Sequence, residues 1–383
     1  MFKAAVGHSN DPDTGAAVQE ILAQCCTQLS DQCPQAGLLF AAPDFEHGLI
    51  LQAIARQFPG IALIGGTSDG EISSELGFQQ DSVTLIVFCS DQVEFCAAVG
   101  RDLSQNPRAI AQQTAARAQA SMTAQPGLCL TVPESLTASG VEILSGLKQG
   151  LGKDVVVVGG TTTDNWVFKS TYQFFGEEIL QDALPVLLLS GLHLGHGVAT
   201  GWSPVGKKST VTKVSGNVLY EIDGEPALSF YRDYLGNIQP STEYRLAVFE
   251  PASGQWYMRT SNGSYDATTG SITFFADIPA HSEVQIVSSE RDKIIDSARA
   301  SAAAAAQHYP GTQPAAALFF SCTGRLQLLG TRTSEEYASV QTVLAPELPC
   351  SGFYTYGEIA PLYAQGESQF HNETFVTLLL GTE

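Results

Sequence analysis

The sequence predicts an α/β fold built from repeated β-α-β-α-β-β units in mixed sheets, with a β-hairpin-rich insertion between the second and third units. The first supporting observation is a recurring stretch in which a strand-like run meets small residues and a threonine. It reads LIGGTSDGEI at 63–72, VVVVGGTTTDN at 155–165 and CSGFYTYGEIAP at 350–361. The second is that short apolar strands alternate with helical segments around each copy, which is typical of mostly parallel sheets covered by helices.

The first predicted unit, roughly 1–90, shows the pattern in order. FKAAVGHS predicts a strand and AAVQEILAQC a helix, and GLLFAAPDFEHGLILQAIARQFPG adds a strand, a polar loop and an amphipathic helix. DSVTLIVF then returns as a last apolar strand, which we expect to pair antiparallel. Equivalent patterns occur over 92–190 and 283–381, and EVQIVSS is the predicted first strand of the third unit.

The segment of about 192–282 has a different character. It alternates polar and apolar residues and contains the turn pairs Asn262-Gly263 and Asp223-Gly224, which are hairpin signals. EPALSFYRDYLGNI predicts one short helix within it. We place a domain boundary near Gly224–Pro226, which gives an N-terminal domain over 1–225 and a C-terminal domain over 226–383.

Composition and charge exclude several classes of protein. The net charge of −20 argues against binding to nucleic acid or to anionic membranes, since both need clustered Lys and Arg. The N-terminus turns polar after about seven residues, and no run of roughly 18 apolar residues occurs. We therefore expect a cytoplasmic protein. Its eight cysteines are expected to be reduced and mostly buried, because none forms C-x-x-C.

The repeated loops are the first candidate for a ligand site. Ligands of parallel α/β sheets bind beyond the carboxyl ends of the strands, and glycine lets the backbone approach a ligand closely. The alternative is that these glycines and threonines serve turn geometry alone. The candidate ligand-binding residues in the loops are Gly66, Thr67, Asp69, Glu71, Thr161, Thr162, Gly352, Tyr354, Tyr356 and Glu358.

Three further residues near the C-terminus are candidates. Arg325, in SCTGR, follows a predicted strand and could anchor a carboxylate or phosphate. The alternative is a salt bridge to a nearby acid. His371 and Asn372 precede the last strand and could face the same ligand, or His371 could be an ordinary core or surface histidine.

Motifs for catalysis are weak. The sequence has no G-x-S-x-G, Walker or H-E-x-x-H motif, and no G-x-G-x-x-G that opens a helix. His193 and His196 lie three residues apart in GLHLGHG, which looks like a strand, so their side chains should point to opposite faces. A shared metal is not expected, although one of the two could be a single axial ligand.

The combined pattern resembles the FIST family of bacterial sensory proteins. The matching pieces are IGGTSDGEI with DSVTLIVF, LLSGLHLGHGVATGWSPVG, LSFYRDYLG, and FSCTGR followed by GFYTYGEIAP and FHN. The resemblance covers nearly the whole chain, as a FIST N-type and a FIST C-type domain. It implies a non-enzymatic module that binds a small ligand and signals through a partner, such as a histidine kinase or a cyclic-di-nucleotide signalling protein.

The resemblance also implies more specific versions of that function. Some FIST proteins of this size bind haem and sense nitric oxide, and haem b would here take His193 or His196 as its axial ligand. An amino-acid sensor is the alternative ligand class. From the residues alone, an enzyme using Tyr354, Tyr356 and Glu358 with Arg325 stays open, as does a scaffold without a ligand.

Overall fold

The computed structural model describes residues 2–30, 32–250, 254–364 and 366–383. The chain groups into two compact units. The first contains residues up to Thr200 together with 295–370 and 374–383, and the second contains 201–294 with 371–373. The α/β class predicted from the sequence is confirmed, because parallel strand pairs and helices alternate through the first unit.

The first repeat begins the first unit and ends where the sequence predicts. Its last strand runs antiparallel to its first and second strands, as expected. Its elements are β1 (Phe2–Ser9), α1 (Thr14–Leu29), β2 (Ala36–Ala41), α2 (His47–Gln57), β3 (Ala62–Thr67), β4 (Glu71–Ser73), β5 (Gly77–Gln79) and β6 (Val83–Ser90).

The second repeat has the same order of elements. A 3₁₀ turn at Leu103–Gln105 precedes its first helix. Its elements are β7 (Phe95–Gly100), α3 (Pro107–Ala120), β8 (Pro126–Thr131), α4 (Gly140–Leu151), β9 (Val156–Gly160), β10 (Gln173–Phe175), β11 (Glu178–Leu180) and β12 (Leu184–Ser190).

The third repeat differs from its prediction in the first strand. That strand is β13 (His193–Ala199), which pairs antiparallel with the last strand of the chain. The predicted strand EVQIVSS instead belongs to the second unit, so 283–381 is not a continuous repeat. The prediction failed because the insertion lies inside the repeat, between its first strand and first helix, and not before it.

The second unit is the hairpin-rich insertion. Its seven strands form one antiparallel sheet in the order β14-β20-β17-β18-β19-β15-β16. Because β15 also pairs with β14, the strands from β14 to β15 in this order form a closed ring. Its elements are β14 (Ser203–Ser215), β15 (Val218–Ile222), β16 (Glu225–Pro226), α5 (Ala227–Leu235), β17 (Arg245–Phe249), β18 (Trp256–Asp266), β19 (Ser271–Phe274) and β20 (Glu283–Ser288).

The rest of the third repeat follows the insertion. A 3₁₀ turn at Gly330–Arg332 separates its two short central helices. Its elements are α6 (Arg291–His308), β21 (Ala316–Cys322), α7 (Thr323–Leu329), α8 (Ser334–Gln341), β22 (Cys350–Thr355), β23 (Glu358–Pro361), β24 (Ser368–His371) and β25 (Phe375–Gly381).

Each repeat gives its short hairpin to the sheet of another repeat. The hairpin β4-β5 of the first repeat joins the third sheet through β22, and β10-β11 of the second joins the first sheet through β3. The hairpin β23-β24 of the third joins the second sheet through β9. The exchange is cyclic, so none of the three six-stranded sheets is complete within one repeat.

The exchange is fixed by one backbone hydrogen bond that recurs three times. Thr67 N–H donates to Tyr172 O, Thr161 N–H to Gly357 O, and Tyr354 N–H to Gly70 O, each at 2.9 Å. In each case the donor lies within one residue of the end of a central strand, and the acceptor immediately precedes the incoming hairpin. Thr67, Thr161 and Tyr354 are therefore structurally equivalent positions.

The central core of the first unit is shared by the three repeats. Apolar residues from one face of each sheet form a single buried cluster, which includes Phe40, Leu130 and Phe320, and Phe40 stacks on Phe353 at 4.2 Å. Burial of this apolar surface is the main favourable term that holds the repeats together. Among the described residues, no helix is long and apolar enough to cross a membrane.

The repeated glycine in each loop allows two neighbouring strands to approach closely. A Cβ added at Gly65, Gly159 or Gly352 would lie 1.9, 2.0 or 2.3 Å from a carbonyl oxygen of the adjacent strand. Such distances are far below van der Waals contact, so any side chain forces the strands apart. The glycines therefore serve sheet packing at these three equivalent positions.

We predict that Gly159→Ala destabilises the protein by about 1–3 kcal/mol or more, since its Cβ would overlap the Thr131 carbonyl. Gly127→Ala, in the neighbouring strand, is the control, because a Cβ there meets nothing within 4 Å. Urea unfolding midpoints measure both. Equal midpoints for the two variants would contradict the packing role of Gly159.

Candidate functional site

The loops that carry the chain from one sheet to the next meet at one place. We call this place the loop junction and define it as residues 67–71, 161–173 and 354–358. Thr67 Oγ1 donates to Thr163 O at 2.7 Å, and Thr163 N–H donates back to Thr67 O at 2.9 Å. The Tyr356 hydroxyl of the third loop donates to Asp164 Oδ1 at 2.7 Å, so all three repeated loops meet here.

The second loop is much longer than the other two. Between equivalent positions, the first and third loops contain three residues each (68–70 and 355–357), whereas the second contains eleven (162–172). Three of its side-chain-bearing residues adopt left-handed backbone angles: Asn165 at φ 56°, Trp166 at φ 61° and Phe168 at φ 52°. Since bulky residues rarely adopt positive φ, the backbone of this loop is strained. The two shorter loops connect equivalent strands with three residues, so the connection itself does not require this strain.

Asp164 holds the second loop in this conformation. Its Oδ1 accepts hydrogen bonds from Phe168 N–H at 2.9 Å and from the Tyr356 hydroxyl at 2.7 Å. Its Oδ2 accepts from Lys169 N–H at 2.7 Å and Ser170 N–H at 3.1 Å. One buried carboxylate thus ties the strained loop to the third repeat.

Asp69 lies beneath the same loop. Its Oδ1 accepts the Asn165 N–H at 2.6 Å, while its Oδ2 has no hydrogen-bond partner among the described residues. Burial and, to a smaller extent, the nearby Asp164 charge raise the pKa of Asp69 to about 7. The Thr163 hydroxyl lies beside this carboxyl and favours its ionised form, but without completing a well-directed hydrogen bond.

Aromatic side chains cover these acids. Phe168 stacks on Tyr356 at 5.0 Å, and Trp166 contacts both rings edge-on at 5.6 and 6.0 Å. Val167 is 54% and Phe168 41% exposed, whereas Asp69 is 3% exposed. Burial and the two acids raise the pKa of Tyr356 above its usual range, so its hydroxyl stays a donor to Asp164.

Glu71 forms a separate buried network at the edge of the junction. The Ser68 and Ser82 hydroxyls donate to its two oxygens. His8 Nε2 lies 2.9 Å from Ser82 Oγ, and its Nδ1 lies 2.7 Å from Ser73 Oγ. Burial raises the pKa of Glu71 to about 8 and lowers the pKa of His8 to about 4, so both groups are mostly neutral at pH 7.

The residues equivalent to Glu71 in the other repeats make related contacts. Gln173 Oε1 accepts Ala183 N–H at 3.1 Å, and Glu358 Oε2 accepts Thr374 N–H at 3.0 Å and the Thr374 hydroxyl at 2.8 Å. Each of these side chains opens a hairpin and binds the residue before the last strand of its own repeat. Glu71 and Glu358 are therefore anchors of the hairpins as well as candidate site residues.

Gly66, Thr162 and Gly352 lie within tightly packed backbone. A Cβ at Gly66 would lie 2.3 Å from the Thr162 side chain, so this glycine is needed where two loops touch. The Thr162 hydroxyl donates to Thr171 Oγ1 at 2.8 Å, and that hydroxyl donates to the buried Glu134. These positions shape the junction without presenting a group to a ligand.

Arg325 forms a buried ion pair. Its Nε donates to Glu336 Oε1 at 2.9 Å, its Nη1 to Thr200 O and its Nη2 to Ser297 Oγ. Glu336 also accepts the Tyr354 hydroxyl at 2.5 Å, and Arg325, Glu336 and Tyr354 are all fully buried. The salt bridge considered as the alternative for Arg325 is thus what the structure shows, and Tyr354 belongs to that pair.

His193 and His196 lie on the strand β13, as the sequence predicts. His193 is exposed, and His196 is buried beside His308, at 6.2 Å between rings. Burial lowers the pKa of His196, so the imidazole is neutral and able to bind a metal.

Around His196, protein atoms pack against both faces of the strand β13. Leu194 and Val198, on one face, pack on the central core. On the other face, a Cβ at Gly197 would lie 2.1 Å from Ser301 O of α6. A haem at His196 therefore requires β13 or α6 to move, whereas His193 is exposed.

His371 and Asn372 group with the second unit and are both buried there. In the same unit Glu373 forms a buried ion pair with Arg245 at 2.8 Å. Among the described residues, no three His, Cys, Asp or Glu side chains lie together in a way that could hold a metal ion. A surface groove of about 730 Å³, lined by Lys3, Gln24 and Glu347 among others, shares no lining residue with the junction.

Sequence reasoning placed the junction but passed over its most unusual part. Trp166, Val167 and Phe168 form an apolar run within a loop that is otherwise polar. Comparing the lengths of the three repeated loops would have identified it, because the second is eight residues longer. The buried network around Glu71 carries no signal in the sequence, since Ser82 and, through it, His8 reach Glu71 from outside its loop.

Two family models match the chain. The FIST N domain matches residues 35–225, and the FIST C domain matches residues 227–361. The chain belongs to the FIST family. FIST domains are generally ligand-binding sensory domains, so this protein carries a ligand-binding sensory module.

Individual relatives add little to the family assignment. An uncharacterized protein of Methanocaldococcus jannaschii is 32% identical over 107 residues, which is 26% of this chain and 20% of the relative. Solved structures of a cyanuric acid hydrolase from A. caulinodans and of a chorismatase align over 99% of this chain, covering 99% and 98% of theirs. Their identities are 10% and 7% and their TM-scores 0.39 and 0.37, and similarity this low carries no argument about activity.

We predict that Glu71→Gln flattens the pH dependence of stability. Between pH 4.5 and 8 the folded protein keeps a proton on Glu71 that the unfolded chain has lost, so wild-type stability falls as pH rises, by at most about 1.4 kcal/mol per pH unit from this residue. Denaturant unfolding at pH 5 to 8 measures the slope.

The exposed Glu177→Gln is the matched control and should leave the slope unchanged. An unchanged slope in Glu71→Gln would show that Glu71 is ionised in the folded protein at neutral pH. Asp69, whose pKa is also raised, contributes a residual slope of the same sign in both variants.

Proposed function

We propose that this FIST protein is a non-enzymatic sensor that binds a small ligand at the loop junction and signals through a partner protein. One observation carries the proposal: the eight extra residues of the second loop form a strained, hydrogen-bonded cover over buried acids where three repeats meet. A connection between strands needs only three residues here. Backbone strain that the fold itself does not require is typical of functional sites.

The geometry suggests how binding would be transmitted. Asp69 is 3% exposed, so a ligand reaches it only when the second loop moves. Movement would break the bonds of Asn165 N–H to Asp69 and of Tyr356 to Asp164, and would displace the exposed Val167 and Phe168. A partner that contacts these apolar side chains would detect the change. A histidine kinase or a cyclic-di-nucleotide signalling protein is the partner class we propose, on the strength of the family.

We predict that a screen of small metabolites, amino acids included, finds compounds that raise the melting temperature of the wild-type protein. Tyr356→Phe removes the hydroxyl that fixes the second loop and should change that thermal shift by more than half. The matched control is Tyr363→Phe, since Tyr363 is 42% exposed and outside the junction. Compounds whose shift is the same in wild type and both variants would bind elsewhere and contradict the location.

The haem version of the proposal rests on the family and on the buried, neutral His196. Binding there requires β13 or α6 to move, because both faces of the strand are covered. We predict that, if haem b is the ligand, protein purified with haem supplied shows a Soret band that His196→Ala or His193→Ala abolishes. The exposed His281→Ala is the control. A protein that stays colourless with haem in excess would exclude the nitric-oxide version.

A further inference from the structure

The buried acids of the junction lack the basic partners that the protein provides elsewhere. Arg325 and Arg245 are buried and each pairs with a glutamate. Asp69, Asp164 and Glu71 are equally buried, yet within the described residues none of them forms an ion pair with Lys, Arg or His. Their partners are hydroxyl and backbone N–H groups. A buried carboxylate without a countercharge is unfavourable unless it is protonated or paired. Glu71 is mostly protonated at pH 7, so Asp69 and Asp164 are the acids at which positive charge is lacking.

One acid also lacks a complete set of hydrogen bonds. Asp69 Oδ2 has no partner among the described residues, and the same holds for the hydroxyls of Thr161 and Thr163. All three residues are at most 3% exposed. A buried acceptor that no group of the protein satisfies is the position at which a ligand donor gains most. The missing hydrogen bond of Asp69 is an observation independent of the missing basic partners.

The cover over Asp69 suits an organic cation better than a metal ion. The rings of Trp166, Phe168 and Tyr356 lie within 6.0 Å of one another and are close to the acids, since Tyr356 bonds Asp164 directly. Aromatic faces attract ammonium groups and also bury alkyl carbons. No metal-binding set of three His, Cys, Asp or Glu side chains occurs in the described part of the chain.

We propose that the ligand of the loop junction is a small organic ammonium ion, whose N–H groups bind Asp69 Oδ2 and whose carbon chain packs against the rings of the second loop. The inference rests on the proposed function and names the chemical class of its ligand. It replaces the carboxylate anchor expected at Arg325, whose guanidinium is bonded to Glu336.

Proton release is a specific consequence of this binding mode. The titratable groups that face Asp69 are Asp164, Glu71 and Tyr356, and all of them are acidic or neutral. Lys169 contributes only its backbone N–H, which donates to Asp164. Burial and the Asp164 charge hold the pKa of Asp69 at about 7, so part of the protein carries a proton there at neutral pH. An ammonium ion favours the carboxylate, so binding releases that proton to solvent, and affinity rises as pH increases through 7.

Three probes with the same carbon chain test the charge preference: butylammonium, butan-1-ol and butyrate. We expect calorimetry of the full chain to show binding of butylammonium, with butan-1-ol and butyrate at least about tenfold weaker. Asp69→Asn should weaken butylammonium binding about 10- to 100-fold, the range of one charge-assisted hydrogen bond. Asp81→Asn, which removes an exposed carboxylate of the same repeat, should not.

Titrations of butylammonium at pH 7 in two buffers of different ionisation enthalpy measure the released proton. Wild type should show buffer-dependent heat, and Asp69→Asn should not. If Asp69→Asn does not fold, Trp166→Leu replaces it, since Trp166 is in a surface loop, and it should weaken butylammonium binding several-fold.

The outcomes separate this inference from the proposed function. Tighter binding of butyrate than of butylammonium, or unchanged butylammonium binding in Asp69→Asn, would overturn the ammonium ion but leave a ligand site at the junction. The ammonium ion is likewise overturned, and the ligand site kept, if none of the three probes binds while other compounds give a thermal shift that Tyr356→Phe changes. If neither the probes nor the wider screen give any ligand sensitive to Tyr356→Phe, the proposed function fails as well.

Discussion

The first unit depends on backbone hydrogen bonds that no repeat can make alone. Each central strand ends in an N–H that donates to a neighbouring repeat, and each sheet is completed by a hairpin from another. An isolated repeat would leave these groups without partners and its apolar face exposed, and both are unfavourable. The three repeats are therefore expected to fold as one cooperative body, and the loops that link them are drawn to one place by the same exchange.

Much of this architecture could be predicted from the sequence, because it follows from local periodicity. The alternating strands and helices of the first two repeats end within a few residues of their expected bounds. The third repeat was assigned a wrong first strand, since EVQIVSS and β13 are equally strand-like and only long-range pairing separates them. The exchange of hairpins between repeats could not be predicted either. A hydrophobic pattern indicates that a segment is a strand, but it does not indicate which sheet the strand joins.

The site was predictable only in its location. Glycines at equivalent strand ends identified the loops, but in the structure these glycines serve sheet packing, and neighbouring polar side chains such as Glu358 anchor the hairpins. Glu71 illustrates the difficulty. In the sequence it is one acid in a turn, whereas in the structure it is fully buried and bonded to two serines from different segments. Arg325 is the opposite case, since a lone arginine that suggested a ligand anchor is paired with Glu336 inside the protein.

The distribution of charge connects these observations. A protein that pairs the buried Arg245 and Arg325 with glutamates could have paired Asp69 and Asp164 in the same way. Instead it surrounds them with hydroxyl and backbone N–H groups, which leaves the acids only partly stabilised as anions and keeps one of them near its titration point. On electrostatic grounds, these carboxylates favour a cation over an anion. The strained second loop, bonded to both aspartates, is then the element whose position depends on what compensates that charge.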